Sequence, residues 1–135
     1  MKGDESKLVW SILKKELDKR RWIYQRLEDK AAVGIPDVNI HVPSADDVWV
    51  EMKYIPLARP DQVIHVGLSN EQFIWLRDNK KAGRNCWLLA RMGNTWLAWN
   101  DARDWELAKR RTQWSELVMN ANRLASANAY LDLLL

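Results

Sequence analysis

The chain has 135 residues, 47% of them apolar and 29% charged, with a formal net charge of +3, ordinary values for a globular domain with one core. A single cysteine excludes an internal disulfide and a Cys-rich zinc site, and no run approaches the ~18 apolar residues of a membrane span. The opening Met1-Lys2-Gly3-Asp4-Glu5 lacks the basic-then-apolar order of a secretory signal, so a cytoplasmic protein with no membrane partner is expected.

Asp4 or Ser6 can cap a first helix running to about residue 19, with Leu8, Val9, Ile12, Leu13 and Leu17 on its apolar stripe. Residues 21–27 alternate as a strand. Gly34 and Pro36 interrupt the chain before a short β-like run at 38–42, and 43–47 reads as a hairpin loop. The β-branched and aromatic stretch 48–55 reads as a central strand, and the polar segment 56–67 as a loop. Ser69-Asn70-Glu71-Gln72 fits a capping box opening a helix that runs to about residue 81 and closes at Gly83. Residues 86–91 and 95–99 form a hairpin around Gly93-Asn94, with Cys86 as a buried structural thiol. Two helices follow, 101–111 and about 115–134. The order α-β-β-β-α-β-β-α-α predicts an α/β fold, a central mixed sheet of about five strands flanked by helices, in one domain.

Charge and aromatic residues cluster along the chain. Lys19-Arg20-Arg21, then Arg26 and Lys30, then Arg77, Lys80, Lys81 and Arg84, then Lys109-Arg110-Arg111 are local basic groups, compatible with a polyanionic ligand. Of nine tryptophans most belong to periodic, core-forming segments; Trp105 and Trp114 flank the last basic group and are the better candidates for stacking on bases, although core packing is the favoured reading for them too. The two histidines, His41 and His65, are too sparse for a metal cluster or a catalytic triad.

The chemistry concentrates in Gly34-Ile35-Pro36-Asp37 and, after thirteen intervening residues, Glu51-Met52-Lys53. Alternation along a strand puts Glu51 and Lys53 on one face, about 7 Å apart along the chain, with Trp49 on the same face. The flanks Val48, Val50, Tyr54 and Ile55 indicate a strand buried on both sides, where an uncompensated charge costs several kcal/mol. If the strand after Asp37 pairs with it, a second carboxylate comes beside Glu51. Two carboxylates and an ammonium at a sheet edge suit a hard divalent cation, an attacking water and a phosphodiester. The plainer alternative is a structural Glu-Lys pair near a strand end.

The series Gly34-Ile35-Pro36-Asp37, Glu51-Met52-Lys53 and then Gln72 with Trp75-Leu76 resembles the PD-(D/E)XK nuclease superfamily, in particular its small phage, VRR-NUC and Holliday-junction-resolvase-like branch, over about residues 4–99. The resemblance implies a restriction-endonuclease-like core with residues 100–135 as a helical extension. It implies Asp37, Glu51 and the backbone carbonyl of Met52 as ligands for Mg²⁺ or Mn²⁺, and Lys53 as the residue that orients the water and stabilises phosphate charge. A further acid on the first helix is expected at Glu5 or at Glu16, three turns on and pointing the same way. Gln72 either contacts the site or only completes the helix cap. Arg26 is a candidate for a phosphate, and Lys30, Arg77, Lys81, Lys109, Arg110 and Arg111 for DNA binding. The implied activity is a metal-dependent DNA endonuclease, with branched DNA as a candidate substrate and a homodimer presenting two sites. An inactive nucleic-acid-binding or assembly protein on the same scaffold is the alternative.

Overall fold

The computed structural model describes residues 6–27, 34–56, 59 and 61–135. A mixed six-stranded sheet organises the chain, in the order β1 (Ile23–Arg26), β2 (Val38–His41), β3 (Asp47–Tyr54), β5 (Asn85–Met92), β6 (Thr95–Trp99) and β8 (Asn122–Leu124). All neighbours are antiparallel except β3 and β5, which run parallel because α2 (Asn70–Lys81) forms the crossover between them. The expected mixed α/β architecture is therefore present, with one strand more than about five.

Helices cover both faces. On one, α1 (Ser11–Arg20) and α5 (Ala127–Leu133) pack Leu13, Leu17, Tyr130 and Leu131 against Val38, Ile40, Val48, Val50, Met52 and Leu89. On the other, α2, α3 (Ala102–Ala108) and α4 (Trp114–Val118) bury Phe73, Leu76, Trp105 and Leu117 against Leu88, Ala90, Leu97 and Trp99. The alternation of β3 follows from being sandwiched: Val50 and Met52 face α1, whereas Trp49, packed on Trp75 at 5.1 Å between ring centroids, faces α2 together with Glu51 and Lys53. Cys86 lies in this second core, as expected.

Several segments differ from the sequence-based expectation. The first helix opens as a wide π-helical turn, Ser6–Trp10, before continuing as α1. The helix expected over 115–134 is broken: α4 stops at Val118, residues Asn122–Leu124 turn into β8 along the open edge of β6, and α5 restarts with Ser126 as its cap. Asn120 and Asn122 are weak helix formers, and pairing β6 covers an edge that a continuous helix would leave bare. The segment 56–67 contains the short strand β4 (Val63–Ile64), which pairs with β7 (Thr112–Gln113) and ends α3 earlier than residue 111.

Candidate active site

The ladder between β2 and β3 ends at the pair Val38 and Val50, so the N–H of Met52, two residues further along a central strand, needs another acceptor. The carboxylate of Asp37 supplies it: Oδ2 accepts from Met52 N at 2.8 Å. This brings Asp37 to the residue next to Glu51. Because N–H and C=O of one strand residue point to the same neighbouring strand, the Met52 carbonyl also faces the Asp37 side. Asp37 and Glu51 are 7% and 2% exposed, so both are desolvated carboxylates.

Cationic groups compensate them. Lys53 Nζ lies 3.5 Å from Glu51 Oε2, and Arg26 Nη1 lies 3.5 Å from Asp37 Oδ1 while donating to the Asp37 backbone carbonyl at 2.9 Å. Arg26 also spans the face of Trp10, 5.4 Å from its ring centroid. Its guanidinium is thus engaged with the segment that carries Asp37, whereas the sequence offered it for a phosphate. Gln72 resolves the two readings by doing both things at once. It completes the capping box with Ser69, and its Nε2 donates to Glu51 Oε2 at 3.0 Å.

Gly34 explains why the Asp37 segment meets α2 so closely. Its φ is +91°, and a Cβ there would sit 2.4 Å from the carbonyl oxygen of Glu71. The 34–37 turn is therefore pressed on the first turn of α2, beside Gln72.

The remaining expected residues are distributed as follows. Glu5 and Lys30 lie outside the described residues. Glu16 sits in the second half of α1, where its Oε1 is 3.3 Å from Lys19 Nζ. The opening turn of that helix, by contrast, packs on β3 and β5 near their carboxyl-terminal ends, and Arg91, paired with Tyr54, donates from Nη1 to Leu8 O at 2.8 Å. Arg91 carries no motif that could have flagged it in the sequence. Lys109 Nζ contacts Asn70 Oδ1 at 3.1 Å at the amino-terminal end of α2, and Arg110 and Arg111 are exposed next to it. Arg77 pairs with Asp78, and Lys81 is at the far end of α2, roughly 14 Å along the axis from Gln72. Trp105 and Trp114 are 0% and 3% exposed and belong to the core, which removes them as stacking platforms. His41 pairs with Asp47 and His65 with the Lys109 carbonyl, both on the surface.

Asp37, Glu51 and the Met52 carbonyl offer hard oxygen donors without thiolate or imidazole, a donor set that fits Mg²⁺ or Mn²⁺. Among the described residues no three His, Cys, Asp or Glu side chains gather closely enough to hold a metal ion, so a third carboxylate would have to come from outside them. No described helix is long and apolar enough to cross a membrane.

Comparison with known proteins agrees at the level of fold. No family model matches the sequence, and no curated protein matches it. Among solved structures, the chain is similar to Hjc of Archaeoglobus fulgidus, a Holliday junction resolvase from an archaeal hyperthermophile. The TM-score is 0.56 at 13% sequence identity, over 88% of this chain and 93% of that one. The six-stranded mixed sheet with helices on both faces is consistent with a restriction-endonuclease-like fold.

Proposed function

We propose that the chain is a metal-dependent endonuclease acting on DNA, with branched junctions as the substrate to test first. The observation that carries this reading is that the buried Asp37 carboxylate sits on the main-chain N–H of Met52, the residue after the buried Glu51, with Lys53 Nζ 3.5 Å from Glu51. Burying such a cluster is costly for a fold, and a bound cation would add to the compensation that Lys53 and Arg26 provide. Asp37, Glu51 and the Met52 carbonyl would hold Mg²⁺ or Mn²⁺, with Glu5 as the further acid. When bound, the ion supplies a lowered pKa for the attacking water and charge neutralisation at the phosphate. Lys53, with its Nζ 3.5 Å from Glu51, would orient that water and donate to a phosphoryl oxygen. Lys109, Arg110 and Arg111 beside the start of α2 grip backbone phosphates, which makes binding strongly dependent on salt. The resolvase-like fold supports junction DNA, cut by a homodimer on two strands.

The test is a cleavage panel of single-stranded, duplex, flap and four-way DNA with Mg²⁺ or Mn²⁺. Cutting that stops on addition of EDTA is expected, and protein that binds these substrates without ever cutting them removes the enzymatic reading. That outcome belongs to the second reading, a DNA-binding or assembly protein on a nuclease scaffold. It is favoured by one observation, the absence of a third metal-binding side chain among the described residues.

A further inference from the structure

The Gln72 side chain has its two ends committed to different partners. Its Oε1 accepts the backbone N–H of Ser69 at 2.9 Å, and its Nε2 donates to Glu51 Oε2 at 3.0 Å. Rotating the amide by half a turn would set an NH₂ against the Ser69 N–H and an oxygen against the Glu51 carboxylate, two repulsive contacts in place of two hydrogen bonds. Ser69 Oγ accepts from Gln72 N at 3.1 Å, which fixes the base of the same side chain. The cap of α2 therefore dictates which atom of Gln72 meets Glu51.

The same turn of α2 also touches the other carboxylate segment. Gly34, three residues before Asp37, lies against the Glu71 carbonyl so closely that no side chain fits. The positive end of a twelve-residue helix adds a favourable potential for the Glu51 charge.

We infer that Gln72 is a positioning residue for Glu51, held in one orientation by the Ser69 capping box, so that the first turn of α2 is the mount on which the cation-binding carboxylate is aimed. This inference rests on the reading of Glu51 as a cation ligand, and it adds Ser69 to the residues on which the site depends. A hydrogen-bond partner of a metal-ligating group changes metal affinity by roughly 10–100-fold when removed, which sets the expected size of the effect.

The experiment measures the Mn²⁺ dissociation constant at one fixed pH by calorimetry, together with melting temperature with and without Mn²⁺. Wild type and Glu51→Gln test the underlying reading alone: equal Mn²⁺ affinity in both overturns the cation site itself. Gln72→Met then tests the inference. A dissociation constant about tenfold weaker than wild type is expected; an affinity within twofold of wild type, with only a lower melting temperature, reduces Gln72 to a helix cap. Should Gln72→Met fail to fold, Gln72→Glu serves, because glutamate still accepts the Ser69 N–H. It sets a carboxylate against Glu51, so the metal-free melting temperature should drop and Mn²⁺ should restore it. An unchanged melting temperature and Mn²⁺ response in that variant overturn the inference.

Discussion

The carboxylate of Asp37 accepts the main-chain N–H of Met52 at 2.8 Å, so one side chain finishes the β2–β3 ladder and, on the proposed reading, also supplies an oxygen to the cation. The two roles separate by substitution. Asp37→Ala leaves a buried N–H without that acceptor and should cost about 1–3 kcal/mol in urea unfolding. Asp37→Asn keeps an acceptor oxygen and should stay within about 1 kcal/mol of wild type while losing Mn²⁺ affinity. Equal stability of the two variants would show that Met52 finds another acceptor.

Lys53 Nζ is 3.5 Å from the Glu51 carboxylate, which is 2% exposed. On the proposed reading, it donates to a phosphate that gains charge during the reaction. Lys53→Ala should therefore lower the cleavage rate by about 10²–10³-fold, the usual cost of one such donor. DNA affinity, measured by gel shift in EDTA, should remain near wild type if the exposed basic residues carry it as proposed. A Lys53→Ala protein that cuts as fast as wild type removes the assignment.

The local parts of the candidate site are legible in the sequence because each is set by a few consecutive residues: a glycine-proline turn before Asp37, alternation through Glu51 and Lys53, and Ser69-x-x-Gln72 at a helix start. The contacts that join them, Asp37 to Met52 N and Gly34 to Glu71, span fifteen and thirty-seven positions and have no sequence period. Arg26 shows the limit: a basic residue before an acidic motif suits a phosphate, and only the register of β1 on β2, with Arg26 opposite Val38, brings it onto Asp37. At the other end, Leu117, Val118, Ala121 and Leu124 have helical spacing, yet the free edge of β6 captured Leu124 as a strand. Tertiary pairing overrode a periodic signal there.

Asp104 gives a pH-dependent prediction away from the site. Burial, and then the nearby Asp101 charge, push its carboxyl above the usual aspartate range. A folded-state value above the unfolded one means that the native protein binds the proton more tightly. Stability is then unaffected below both values, falls as pH rises through this window, and stays lowered at neutral pH. Asp104→Asn should raise the melting temperature at pH 7, with the gain vanishing at low pH. A variant less stable than wild type at pH 7 contradicts this sign.

Cys86 is 1% exposed and burial pushes its thiol up to about 11, only partly offset by Arg84 and Lys80. At pH 8 roughly one molecule in a thousand carries the thiolate. Native protein should resist a disulfide exchange reagent for hours and react within minutes in denaturant. Rapid native modification would show that the β5 region opens.

Gly34 offers the sharpest test of how the two carboxylate segments are held together. Its left-handed φ of +91° is strained for any L side chain, and the atom that a methyl would meet, the Glu71 oxygen at 2.4 Å, belongs to the backbone of a helix and cannot swing away. Gly34→Ala must therefore shift the 34–37 turn away from α2, carrying Asp37 with it. Two costs are expected together: about 1–3 kcal/mol of stability from the strained backbone and the lost contact, and a weaker response to Mn²⁺ in thermal melts. Loss of stability with an undiminished Mn²⁺ response would mean that Asp37 is held by Met52 and Arg26 alone and that the press of the turn on α2 serves only the fold.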